Sequence, residues 1–92
     1  MARVTVRTPV AWRGAHGVPA SVLVEAGTVG DALAQLTARG PDLRAALYDR
    51  SGRLRRTHRV FLNSLDVRGL EAESTRVSEG DEVTILDAPP GG

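Results

Sequence analysis

Polar and apolar positions alternate from the start of the chain. In residues 3–8, Val4 and Val6 fall on one face and Arg3, Thr5 and Arg7 on the other, which predicts a half-buried strand ended by Pro9. Residues 10–19 contain Gly14, Gly17 and Pro19 and read as a loop. Residues 21–26 carry Val22 and Val24 in a second alternating run, a strand that pairs with the first as a hairpin with a loose connection. The period then changes. Gly27 breaks the strand, Thr28 is a helix N-cap, and Asp31 follows three residues later in a capping-box position. Val29, Leu33 and Leu36 make one apolar stripe, widened by Ala32. Gly40-Pro41 stops this helix, and Asp42 caps a short second helical piece holding Leu43 and Leu47.

Residues 50–59 form a polar, basic loop with Arg50, Arg53, Arg55, Arg56, His58 and Arg59. Residues 60–63 are a third strand, 63–66 a turn, and Val67-Arg68 a short return strand. Residues 69–78 are irregular and anchored by Leu70 and Val77, and Glu79-Gly80-Asp81 is a tight turn. The last strand, residues 82–86, places Val83 and Ile85 on one face and Thr84 and Leu86 on the other. The order is strand, strand, helix, then two or three strands. One main helix across a mixed sheet buries these faces, an α+β fold over residues 1–86. Residues 87–92 are left as a flexible C-terminal tail.

Composition narrows the chemistry. The chain has 92 residues, 41% hydrophobic and 25% charged, enough for one small domain. Its net charge of +1 argues against a nucleic-acid coat. No cysteine is present, which excludes disulfides, thiolate metal sites and a thiol nucleophile. His16 and His58 alone do not build a metal centre. Every basic side chain is arginine, so no lysine amine is available for acylation. No run approaches the roughly 18 apolar residues of a membrane span, and residues 1–6 alternate, unlike a signal peptide. A cytoplasmic protein without nucleic-acid or membrane partners is expected. A catalytic role lacks support: no Gly-rich phosphate loop leads into a helix, and no Ser pairs with a His and a carboxylate. Neither catalytic nor metal-binding residues are assigned.

The end of the chain carries the chemical signal. Pro89 and Pro90 have no N–H to donate and favour an extended conformation. Gly91 and Gly92 follow with no side chains, a narrow tip that fits a tight enzyme channel. The reactive group there is the α-carboxylate of Gly92. A carboxylate is a poor electrophile and needs activation, for instance as an acyl-adenylate. The tail therefore reads as a substrate for another enzyme.

With this strand order, the terminal Gly91-Gly92 resembles the ubiquitin-like sulfur carriers of the MoaD/ThiS family, whose fold is the β-grasp. The likeness is strongest to the CysO-type branch of actinobacteria. It lies in residues 59–63, Asp66-Val67-Arg68, Gly69-Leu70, and Gly80-Asp81 with Val83-Thr84-Ile85-Leu86. The insertion at residues 52–59 is similar to that branch. The resemblance implies adenylation of the terminal glycine by an E1-like enzyme of ThiF/MoeB type, with ATP. A rhodanese-like or other sulfur donor then displaces AMP. The product is a C-terminal thiocarboxylate, and a biosynthetic enzyme takes its sulfur toward cysteine, molybdopterin or a thio-metabolite. Gly92 would carry the sulfur, and Gly91, Pro90 and Pro89 would enter the partner's active site. The protein itself would hold no permanent cofactor and would be a cosubstrate, not an enzyme.

Phe61, Leu62 and Leu86 are docking candidates on the sheet, with one of Phe61 and Leu62 exposed because they point to opposite faces. Arg55 and Arg56 could steer an acidic partner surface, although the basic loop as a whole reads as solvated. Trp12 reads as a cover on the core's edge, and His16 as a surface residue. Two further functions stay open. One is a protein modifier joined through Gly92 to target lysines. The other is a plain β-grasp interaction module.

Overall fold

The computed structural model describes residues 1–87. The predicted tail residues Pro89, Pro90, Gly91 and Gly92 lie outside the described residues. Five strands form one mixed sheet: β1 (Ala2–Arg7), β2 (Ser21–Ala26), β3 (His58–Leu62), β4 (Leu65–Asp66) and β5 (Glu82–Asp87). Their spatial order is β2-β1-β5-β3-β4. β1 is antiparallel to β2 and parallel to β5, while β3 is antiparallel to β5 and β4. Three helices, α1 (Val10–Ala15), α2 (Val29–Thr37) and α3 (Pro41–Leu47), complete this α+β architecture. No helix among the described residues is long and apolar enough to cross a membrane.

The core follows from the two periodicities. Val4, Val6, Val22, Val24, Val60, Val83 and Ile85 project from one face of the sheet and are buried. Val29, Leu33 and Leu36 of α2 are fully buried against them. The cap of α2 fixes its start: Thr28 Oγ1 accepts from the Asp31 N–H at 3.1 Å. The Asp31 carboxylate returns the bond to the N–H of Gly27 at 3.2 Å, one residue before the cap. One unpaired N–H of the first turn and the N–H just before the cap are thereby satisfied.

Several boundaries differ from the sequence expectation. Residues 10–15 are helical, not a loop, because Trp12 turns inward and is only 4% exposed. Tertiary burial here overrides the glycine signal. Pro41 opens α3 where a stop is expected: it sits in the first turn, where its missing N–H costs nothing. Gly40, not Asp42, is the N-cap. The return strand is Leu65–Asp66, not Val67-Arg68, because Asn63 takes φ 54° and turns the chain within two residues. Val67–Gly69 is a 3-10 turn whose Val67 is buried, whereas Leu70, expected as an anchor, is 41% exposed. Val77 is buried, and Gly80 at φ 85° makes the turn before β5. β3 begins two residues early, at His58, and β5 runs one residue further, to Asp87, because these two residues pair.

Candidate functional site

The site is the outer face of the sheet together with the end of β5, from which residues 88–92 continue. Cross-strand register sets the face. Ser21, Arg7, Thr84, Phe61 and Asp66 stand abreast across all five strands. Arg59 and Leu86 form the next row. Leu86 is 47% exposed and Leu23 66% exposed on this face, while Phe61 is half-buried. Arg7 lies 3.9 Å from Glu82, and Arg68 closes on Asp66 at 3.0 Å. The Arg68 guanidinium and N–H hold the Asp66 carboxyl below its usual range.

Phe61 and Leu86 are thus brought together. Leu62 is not: it is half-buried on the inner face, packed against the core. Arg55 donates from Nε to the Ala45 carbonyl at 2.8 Å, which ties the basic loop back to α3. Arg55, Arg56, His58, Arg59 and Arg68 line a cavity of about 110 Å³. On the other side of the β5 end, Arg7, Arg13, Leu86 and Asp87 line a cavity of about 200 Å³. The end of β5 therefore lies between two arginine-bearing clefts.

One group of residues was missed by sequence reasoning. His58, expected in a solvated loop, has a side chain only 9% exposed. Its Nε2 lies 3.2 Å from Asp87 Oδ1, and its Nδ1 3.2 Å from the Thr57 hydroxyl. A neutral imidazole satisfies both, donating from Nε2 and accepting at Nδ1. Burial pushes its pKa down against the raising effect of Asp87, and nearby Arg55 adds to the fall. Trp12 meets the His58 ring edge-on at 5.4 Å and the His16 ring at 6.0 Å. The signal was present in the pattern: period two carried back from Val60 puts His58 inward, and carried on from Ile85 puts Asp87 on the same face.

The family model described as the ThiS family matches residues 16–92. The chain is 35% identical over 91 residues to the sulfur carrier protein CysO of Mycobacterium tuberculosis, covering 97% of this chain and 98% of the relative. Among solved structures, small archaeal modifier protein 1 from Methanosarcina acetivorans superposes with a TM-score of 0.85 at 26% identity. That match covers 100% of this chain and 98% of the other. A chain in the Amycolatopsis orientalis BexX/CysO complex matches with a TM-score of 0.81 at 32% identity, over 97% of this chain and 99% of that one.

Proposed function

Since the chain belongs to the ThiS family, ubiquitin-like sulfur carriers with the β-grasp fold, we propose that it delivers sulfur from its C-terminus. The supporting observation is the family match itself, which runs through Gly91-Gly92. An E1-like enzyme of ThiF/MoeB type adenylates the Gly92 carboxylate with ATP and releases pyrophosphate. The terminal sulfur of a persulfide, on a rhodanese-like or comparable donor, attacks the acyl carbon and AMP leaves. Thiol cleavage of the resulting acyl disulfide then leaves the thiocarboxylate. A biosynthetic enzyme takes that sulfur for cysteine, molybdopterin or a thio-metabolite. The chain is a cosubstrate throughout, with no cofactor of its own, in the cytoplasm.

Gly91, Pro90 and Pro89 thread the partner's channel, and Phe61 with Leu86 supplies the apolar contact beside it. The two arginine-bearing clefts flanking the end of β5 favour an acidic partner surface, through steering that salt weakens. Arg55 and Arg56 belong to that rim.

The likeness to a small archaeal modifier protein favours a second reading, conjugation through Gly92 to lysines of target proteins. One experiment separates the two. The protein is incubated with ATP, an E1-like enzyme and a persulfide donor, then alkylated and fragmented. Because the chain has no cysteine, a label on Gly92 marks a thiocarboxylate. Fragmentation is needed because an oxygen-to-sulfur exchange nearly matches the mass of oxidised Met1 or Trp12. An adenylate without label, together with higher-mass conjugates, selects the modifier reading. Deletion of Gly91-Gly92 is expected to abolish both products. Retention of either after deletion would sink both readings.

A further inference from the structure

Asp87 is the final residue of β5, and the proposed reactive tail continues directly from it. The ends of a ladder are where pairing opens first. Here the last opposed pair, His58 with Asp87, is joined by its side chains, Nε2 to Oδ1 at 3.2 Å. The His58 ring is held from two further directions, by the edge of Trp12 on α1 and by the Thr57 hydroxyl. α1, the start of β3 and the end of β5 converge on one imidazole. The contact is not demanded by the core, since the Asp87 side chain is 54% exposed.

We propose that His58 is a positioning residue for the reactive terminus: by holding the Asp87 carboxylate it fixes the point from which the tail departs. The proposal rests on the carrier reading above. Residues 88–92 span at most about 17 Å from a fixed origin. If the His58–Asp87 pair opens, the last fixed residue before the tail becomes Leu86. The partner enzyme must then order one more residue on docking. That costs a backbone's worth of conformational entropy, about 5- to 30-fold in affinity. The chemical step is unchanged once the glycine is seated, so the loss falls on KM and leaves kcat.

The test uses His58→Phe, which keeps a ring against Trp12 but has no donor, His58→Gln, which restores a donor, and Asp87→Ala on the exposed side. Amide hydrogen exchange at Leu86 is measured in each full-length chain, followed by adenylation kinetics with a ThiF/MoeB-type enzyme and ATP. His58→Phe and Asp87→Ala are each expected to speed exchange at Leu86, whose N–H belongs to the neighbouring hydrogen-bonded pair with Arg59, and to raise KM about 5- to 30-fold at constant kcat. His58→Gln should recover part of both effects. The double variant should be no worse than either single one, as for two ends of one contact. Should His58→Phe misfold, Asp87→Ala reads the same contact alone. Unchanged exchange or unchanged KM in Asp87→Ala overturns the positioning role while the carrier reading stands. If the wild-type chain itself is never adenylated, the carrier reading falls and the positioning role falls with it.

Discussion

The two faces of the sheet share the same five strands but differ in what constrains them. On the inner face Val4, Val6, Val83 and Ile85 are wholly buried in the hydrophobic core. On the outer face Arg7, Thr84, Phe61, Arg59 and Leu86 stand in register, and Leu86 and Leu23 are exposed. Burying a Val or Leu contributes about 1.5–3 kcal/mol, so inner residues answer to folding. An exposed leucine contributes little to folding, so the outer face is free to answer to a partner. In the carrier reading, one face keeps the protein folded and the other, with Leu86 exposed one residue before the end of β5, is left for a partner.

The strongest way to break this division is to damage the inner face. Leu33→Ala removes a fully buried side chain where α2 meets the sheet. It is expected to cost about 2–5 kcal/mol of stability, read by urea denaturation. Under conditions where the variant stays folded, KM with the activating enzyme should be unchanged. A change in KM without loss of stability would show that the faces are not independent.

The reverse experiment sharpens the comparison. Leu86→Ala, next to Phe61 on the outer face, should change stability by no more than about 0.5 kcal/mol, since it leaves no cavity in the core. If Leu86 is a docking anchor, KM rises about tenfold, equivalent to about 1.4 kcal/mol. An unaltered KM would remove Leu86 from the interface and leave the arginine clefts as the docking surface.

The inner face was legible in the sequence because burial writes itself as period two in strands and 3.6 in helices. Val4 and Val6, Val22 and Val24, Val83 and Ile85, and the Val29-Leu33-Leu36 stripe all fall where alternation and spacing place them. The Thr28 cap was legible for the same local reason. Helix α1 was not, because Gly14 weakens its local preference and only a distant contact, Trp12 against the body of the protein, decides the outcome. The choice between Phe61 and Leu62 depended on register with β5, which one strand's pattern cannot supply. The tail's chemistry was read from Gly91-Gly92 as residue types. The pairing of His58 with Asp87, 29 positions apart in the chain, was hidden because a basic loop context masked a strand's first residue.

The smallest expected effect concerns that pair, which lies on the inner face by parity yet carries the face's titratable ring. Burial depresses the His58 pKa below its unfolded value of about 6.5. Below that value the unfolded chain takes up the proton first, so it binds more protons than the folded one. Stability is therefore full above about pH 6.5 and declines as pH falls through the depressed folded pKa. Asp87 works against the shift and Arg55 with it, so the decline should be shallow. The carboxyls held below their usual range by hydrogen bonds, Asp49, Asp66 and Glu79, lose their contribution only in a lower window, below about pH 4.5. Urea midpoints followed from pH 8 to 3 should show the two windows separately. His58→Phe should erase the upper one and spare the lower. If the upper decline persists in His58→Phe, its source is another group, and the inner face near the end of β5 does not couple to pH through this ring.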